Sequence, residues 1–522
     1  MLLMIIEMTR GCRRVQRLAF CGTALGLMLA AASSAHAQVQ ANVGAGQDQT
    51  YGAGATADAK IAALEAAVEA LRAQVAELKT AQAAAPKAPK GEEAKVSIAQ
   101  GKPSIQSADG RFSANLHGVM QFDAAQYYQD KALPAALTDP HSRDLSSGTN
   151  FRRARIGIDG KAYGDFSYNV LLEFGGAGEE DAGHIQELWV QYNGLKPFNF
   201  RIGAFPPSIG LEDAGSTNGQ LFLERPASAD IARSLAGGDF REAAQLQAAG
   251  DNWLLSGAVT GRLVGVVNST ASGVVQPFDS QLGFVGRAVY DLIKTDNAVL
   301  QVGVHGSYVT HPADTGAAAN ATRYQITFQE RPELRVDGTR LISTGGVNAN
   351  HASSSGFEVA GQYGPFFAQG EYEHYTVDRR NLTGAAVLSD PDFNGYYVEG
   401  AWSLTGESRK FNNATFAFDA PGVRHPFSLN DGTWGAWELA ARYSTIDLNY
   451  NAGASGVAVP ADGVRGGKQS IFAGGVNWYV NPVVRFMLDY QHVKIDRLAA
   501  VAPFTTAGQS YDALSLRSQL AF

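Results

Sequence analysis

From Arg111 to Phe522 apolar side chains recur at every second position, and few patterns restrict a chain more. Successive side chains of a β-strand point to opposite faces, so a period of two both predicts strand and sorts residues onto faces. Phe112, Ala114, Leu116, Gly118, Met120 and Phe122 alternate with Ser113, Asn115, His117, Val119, Gln121 and Asp123. Ala154, Ile156, Ile158, Gly160 and Ala162 alternate with Arg153, Arg155, Gly157, Asp159 and Lys161. After Gly164-Asp165 the theme returns in Phe166, Tyr168, Val170, Leu172 and Phe174, then in Phe198, Phe200, Ile202 and Ala204. Further runs lie near 281–291, 299–309, 357–375, 396–404, 434–443, 470–493 and 510–522.

Alternation on this scale fits a soluble sandwich, apolar face packed and polar face wet. It also fits a membrane barrel, apolar face to lipid and polar face to a lumen. Three features favour the barrel. The polar face carries Arg, Asp, Glu and Gln rather than mainly Ser and Thr, although only 18% of the chain is charged. Aromatics gather at strand ends, as Tyr127-Tyr128, Tyr396-Tyr397 and Trp478-Tyr479, where interfacial girdles belong. The last strand ends in Phe522, with Leu514, Leu516 and Leu520 in phase and Arg517 and Gln519 on the opposite face. Such a strand is what barrel-assembly machinery engages. About 410 residues shared among about 16 strands leave roughly 26 per strand and connection, which suits a transmembrane antiparallel β-barrel. Fourteen or 18 strands fit nearly as well.

The chain before Arg111 has a different texture. Arg10, Arg13, Arg14 and Arg17, the apolar run Leu18–Ala32 and the Ala35-His36-Ala37 step predict a signal peptide over 1–37, with Met8 as an alternative start. Both cysteines, Cys12 and Cys21, fall inside it, so the exported chain has none for a disulfide or a thiolate metal site. Removing four arginines and Glu7 makes the net charge of −8 three units more acidic. No later stretch has the 18 apolar residues of a transmembrane helix. Residues 38–57 read as a flexible linker. Over 58–82, Ile61, Val68 and Val75 repeat every seven residues, as do Leu64, Leu71 and Leu78. That heptad predicts a periplasmic coiled-coil helix that joins subunits; a single amphipathic helix lying on its own domain is the alternative. Pro86, Pro89 and Pro103 with Lys and Glu mark 83–110 as a second linker, and 111–522 is the barrel.

Several stretches resemble the bacterial phosphate-selective porin O and P family: 151–174 (FRRARIGIDGKAYGDFSYNVLLEF), 201–226 (RIGAFPPSIGLEDAGSTNGQLFLERP), 396–413 (YYVEGAWSLTGESRKFNN), 434–449 (WGAWELAARYSTIDLN) and 474–493 (GGVNWYVNPVVRFMLDYQHV). The resemblance implies a homotrimeric 16-stranded channel in the bacterial outer membrane, some of whose relatives pass phosphate or polyphosphate.

Anion selection needs fixed positive charge at a constriction, and arginine's planar fork suits phosphate. Arg153, Arg155, Lys161, Arg201, Arg287, Arg442, Arg485 and Arg517 fall in the polar phase and are the expected lumen lining. Each also has a plainer reading, as a wet-wall residue or a partner of Asp159, Glu438 or Asp489. Pro206–Phe240 is long, Gly- and Ser-rich and follows a strand, so it is the expected inward constriction loop. It brings Arg225 and Arg233 but also Glu212, Asp213, Glu224 and Asp230.

The expected function is passive diffusion of small hydrophilic solutes, with anions such as phosphate preferred. A structural barrel whose coiled coil tethers the membrane to the cell wall, and a non-selective general porin, are the alternatives. Catalysis has no support: G-x-x-x-x-G-K-[ST] and H-E-x-x-H are absent, and the exported histidines are scattered, with His305 and His311 six apart. No cofactor, resident metal or nucleic acid is expected; the acidic balance and the lack of a basic domain argue against the last.

Overall fold

The computed structural model describes residues 57–84, 94–99, 101–129, 143–176, 183–238, 241–264, 279–382 and 384–522. They divide into two compact units that meet in sequence at Lys90–Gly91. The expected signal peptide (1–37) and, up to residue 56, the first linker lie outside the described residues. In the first unit Ala57–Ala84 forms one helix of 28 residues, α1, which is about 42 Å long at 1.5 Å per residue. Ala, Glu, Leu and Gln dominate it, all strong helix formers. Its heptad residues Val68, Leu71 and Val75 are exposed.

Sixteen antiparallel strands build the second unit. The first eight are β1 Ser113–Tyr128, β2 Gly148–Ala162, β3 Phe166–Glu173, β4 His184–Tyr192, β5 Phe198–Ala204, β6 Arg241–Ala249, β7 Trp253–Leu263 and β8 Leu282–Lys294. The rest are β9 Ala298–His311, β10 Val347–Tyr363, β11 Phe366–Arg379, β12 Asp392–Ser403, β13 Ala436–Tyr450, β14 Val464–Tyr479, β15 Val484–Asp496 and β16 Gln509–Ala521. Each pairs with its sequence neighbour, and β16 returns to β1 from Asp512↔Tyr128 to Ala521↔Val119, which closes the barrel. Closure leaves no wall strand with a bare edge, as a lipid environment demands. Most turns at one end are short, as at 163–165, 250–252, 295–297 and 364–365. The opposite end carries the long connections.

The wall is apolar outside and polar inside, the reverse of a soluble protein. Ile156, Ile202, Leu255, Val304, Phe357, Val398 and Phe472 are exposed, whereas Arg153, Glu358, Asp489 and Arg517 are buried within. Strict alternation also splits the aromatic pairs noted above. Tyr128, Tyr396 and Trp478 face outward, while Tyr127, Tyr397 and Tyr479 are buried inside. The girdle at the short-turn end is built by rings from neighbouring strands, such as Trp437 on Trp478 at 5.3 Å and Phe366 on Trp402 at 6.0 Å.

Part of the second linker is ordered. Lys95–Ala99 and Lys102–Gln106 form a hairpin whose second strand pairs with β1 at Ser104↔Asn115. Pro103 is compatible with such a short arm because proline is tolerated on edge strands, and Gly101 at φ 82° supplies the turn.

Three connections fold into the lumen. Residues 205–238 enter from the long-loop end with a ten-residue helix, α2, at Ala227–Ala236. Residues 312–346 enter from the same end. Their apolar side chains, including Phe328 and Leu341, join Ile231 and Leu235 of α2 and the wall residues Tyr375 and Phe393 in a dry core. Residues 404–435 enter from the short-turn end as a hairpin, Arg409–Asn412 with Ala417–Pro421, and Phe418 packs on Phe367 at 4.9 Å.

The seam supplies a test. Phe522 and Gly118 exchange backbone hydrogen bonds of 3.0 and 3.1 Å, and a Cβ on Gly118 would stand 2.8 Å from the Phe522 ring. Gly118→Val should therefore cut the yield of folded, heat-modifiable barrel severalfold on electrophoresis. Gly474→Ala, whose new carbon meets nothing within 4 Å, should fold as the parent does.

Candidate functional site

The lumen side chains divide by wall. On β1, β2 and β16 the register sets Arg517 opposite Asp123 and Gln121 opposite Arg153. A bulge follows: Gln121 faces Arg153 but Phe122 faces Phe151, so Arg152 is the extra residue and its side chain turns inward. Arg152 Nε then donates to Glu224 Oε1 at 2.7 Å and its Nη2 to Oε2 at 3.0 Å. Arg517 Nη2 reaches Glu224 Oε1 at 2.9 Å and Asp123 Oδ2 at 2.6 Å. Arg335, from 312–346, stands 3.5 Å from Glu224 and also pairs with Asp230 of α2. Burial pushes the Glu224 carboxyl up, but Arg152, Arg153, Arg517 and Arg335 together hold it well below the usual carboxylate range. Asp230 is likewise lowered: burial raises it, and Arg335, Arg233 and Arg225 outweigh burial. The inward segment is thus ion-paired to an arginine wall.

The facing wall is acidic. On β8 to β13, Glu358, Glu371, Glu373 and Glu399 are buried beside Arg287, His305 and Arg442. Arg287 grips Glu358, at 2.6 Å from Nη2 to Oε1, and donates to the Phe416 carbonyl of the short-turn hairpin at 3.0 Å. Arg442 pairs with Glu333 of 312–346, lies 3.5 Å from Glu399 and stacks on Phe222 at 4.4 Å. Glu371 accepts the backbone N–H groups of Leu211 and Glu212, which pins the first inward segment to this wall as well. Burial and the neighbouring Glu399 push the Glu212 carboxyl well above its ordinary range.

The expected lining residues therefore fall into three groups. Arg153, Arg155 and Arg517 converge with Arg152 on the basic wall. Arg155 pairs with Glu173, and Arg153 donates to Gln121 Oε1 at 2.5 Å. Arg287 and Arg442 belong to the acidic wall. Arg485 donates to the carbonyls of Asn218 and Gln220 at 3.0 and 2.7 Å, holding the inward segment at the short-turn end. Arg201 on β5 and Lys161 at the end of β2 stand apart from both clusters. Arg201 is half-buried, stacked on Trp189 at 4.3 Å and bonded to Gln191 at 2.7 Å; Lys161 is exposed. Within the expected constriction loop Arg233 pairs with buried Asp213, and Arg225 is buried with its Nε unpartnered. Glu212 accepts from Gln220 at 3.2 Å and Gln369 at 2.8 Å.

Sequence reasoning missed Arg152, because strict alternation assigns it to lipid and only register exposes the bulge. It also missed Arg335 and Arg409, which lie on connections without a period. Arg409 ties the short-turn hairpin to Glu438 at 2.9 Å and to the Gly219 carbonyl, so segments from opposite ends of the barrel touch. The acidic wall is present in phase as Glu358, Glu371, Glu373 and Glu399, but phase alone does not show that they meet one another.

Glu224→Ala leaves three guanidinium groups without their shared carboxylate and should cost about 3–5 kcal/mol, read as a lowered unfolding temperature. A second measurement concerns pH. A carboxyl raised by folding gives its full stability below its unfolded value and loses it as pH rises through the raised one. Glu212→Gln should therefore gain in unfolding temperature relative to the parent as pH is taken from acid to alkaline.

The family described as Phosphate-selective porin O and P matches residues 118–522. Porin O of Pseudomonas aeruginosa is 27% identical over 419 residues, covering 76% of this chain and 87% of its own. An uncharacterized protein of Caulobacter vibrioides is 26% identical over 392 residues, 75% of this chain and 70% of its own. Among solved structures, the outer membrane channel DcaP of Acinetobacter baumannii aligns with a TM-score of 0.43 at 11% identity, covering 80% of this chain and 99% of its own. An anion-selective porin from Comamonas acidovorans aligns at 0.42 and 12%, covering 79% and 100%. The family match runs from within the first barrel strand to the terminal phenylalanine, and the chain belongs to the phosphate-selective porin O and P family.

Proposed function

We propose that the chain is a passive outer-membrane channel that favours small anions, phosphate and its condensed forms among them. The observation that carries this reading is the convergence of Arg152, Arg335 and Arg517 on the single carboxylate of Glu224, with Arg153 beside them. With Asp123 on Arg517 and Asp230 on Arg335 counted, four guanidinium groups stand against three carboxylates on the basic wall. Across the lumen the carboxylates are buried, and those of Glu358 and Glu399 lie against Arg287 and Arg442. The basic wall acts on a passing hydrated anion through its field, and Arg335 is the most exposed of its four guanidinium groups. Arg201 and Lys161 add positive charge outside that cluster.

The same reading includes a homotrimer. Strands β3 to β6 have only eight, nine, seven and nine residues, against 11 to 17 in the others. A tilted seven-residue strand covers about 17 Å, less than the ~25 Å apolar band of a barrel in its membrane. A low wall of this kind is suited to burial against neighbouring copies. The exposed Val68, Leu71 and Val75 of α1 supply a second joining surface, as a coiled coil does. Export by the leader and recognition of β16 and Phe522 by the assembly machinery complete the proposal.

Planar-bilayer recording in a salt gradient is the test. The expected reversal potential favours chloride over potassium, with phosphate competing for the chloride current. Replacing both Arg152 and Arg153 by Ala should reduce the anion preference by roughly threefold or more, since fixed charge at a narrow site sets the local ion concentration. Equal passage of both signs would make the acidic wall an equal partner and the protein a general porin.

A further inference from the structure

Among the described residues, His305, Glu358 and Glu371 offer one ligand atom each, all within 4.8 Å of one another, and all three side chains are buried. We infer that these residues form a binding site for a divalent transition-metal cation such as Zn2+ or Co2+, set into the acidic wall of the barrel.

The geometry around the imidazole supports the assignment. Its Nδ1 lies 3.2 Å from Glu358 Oε2, and two ligands about 2.1 Å from a tetrahedral ion stand about 3.4 Å apart. Its Nε2 lies 2.7 Å from Glu373 Oε1. That is the arrangement in which a carboxylate takes the distal N–H of a metal-bound histidine and fixes its tautomer. The two ligand carboxylates are themselves oriented: Arg287 donates to Glu358, and Tyr397 donates to Glu371 Oε2 at 2.7 Å. Glu373 contributes a separate sign. It is 1% exposed, yet its Oε2 has no hydrogen-bond partner among the protein atoms, beside His305 Nε2 over the bare face of Gly356. Charge points the same way. Glu358, Glu371 and Glu373 stand against Arg287, and even with His305 protonated on both nitrogens one negative charge is left for a cation to balance. One imidazole nitrogen with carboxylate oxygens suits zinc, cobalt or manganese better than calcium or magnesium. On binding, Nδ1 holds the metal with its lone pair, and any proton on that atom passes to bulk water.

Glu371 also holds the backbone N–H groups of Leu211 and Glu212, so the cation would share a ligand with the anchor of the first inward segment. Cation binding at this site is independent of ion selectivity and is measured without conductance. The full chain, folded in detergent and stripped with a chelator, is titrated with Co2+ while its visible d–d absorption and proton release are followed. Zn2+ stoichiometry is measured separately by equilibrium dialysis. One cation per chain is expected. Glu373→Gln, nearly isosteric, should weaken binding by about 10- to 100-fold, the usual cost of losing a carboxylate behind a metal-bound histidine. His305→Gln should abolish the Co2+ spectrum, and His492→Gln, on the outer face, should leave it intact. A folded parent that takes up no cation overturns the site. So does undiminished affinity in Glu373→Gln, a comparison that holds even if the His305 variant does not fold.

Discussion

Charge taken out of water inside the barrel must meet opposite charge, and this requirement organises the molecule more than any apolar contact. An unpaired buried guanidinium or carboxylate costs several kcal/mol. Glu224 joins Arg152, Arg335 and Arg517, and those four residues lie on four different elements of the chain. The inward segment is therefore located by its ions. Apolar packing around Ile231, Phe328 and Tyr375 then fixes its orientation.

The resulting lumen is asymmetric. One wall concentrates arginine and the other carboxylate, and each draws a different part of the filling toward itself. Arg517 takes the Leu223 carbonyl, while Glu371 takes the Leu211 and Glu212 amides twelve and eleven residues earlier. The first inward segment consequently crosses the bore anchored to both sides. In this outer-membrane channel, the charge of the two walls and the placement of the inward segment arise from one set of side chains.

Much of this was legible in the chain. A period of two gave the sixteen strands their facing, Pro206–Phe240 stood out as a connection too long for a turn, and Arg153, Arg287, Arg442, Arg485 and Arg517 fell on the inner face as their phase required. What remained hidden depends on register and on distance in sequence. Arg152 sits out of phase until one residue bulges from β2. The partners of Arg442 lie at Glu333 and Glu399, and no local pattern links them. Aromatic pairs looked like girdle residues until alternation sent one ring of each pair inside. Tyr127, Tyr397 and Tyr479 now pack within the lumen.

The hairpin at 404–435 carries a consequence for biogenesis. It enters from the short-turn end, whereas the segment it touches at Gly219 enters from the other, and β1 and β16 seal the wall between them. A chain with fillings from opposite mouths has an order problem: sealed first, it would have to draw charged loops inward past an already formed rim. Drawing them together while the sheet is still an open ribbon avoids that passage. On this view the last seam to form, at Gly118 and Phe522, works as a clasp on a package already made, and faults in the filling would surface as failures to close.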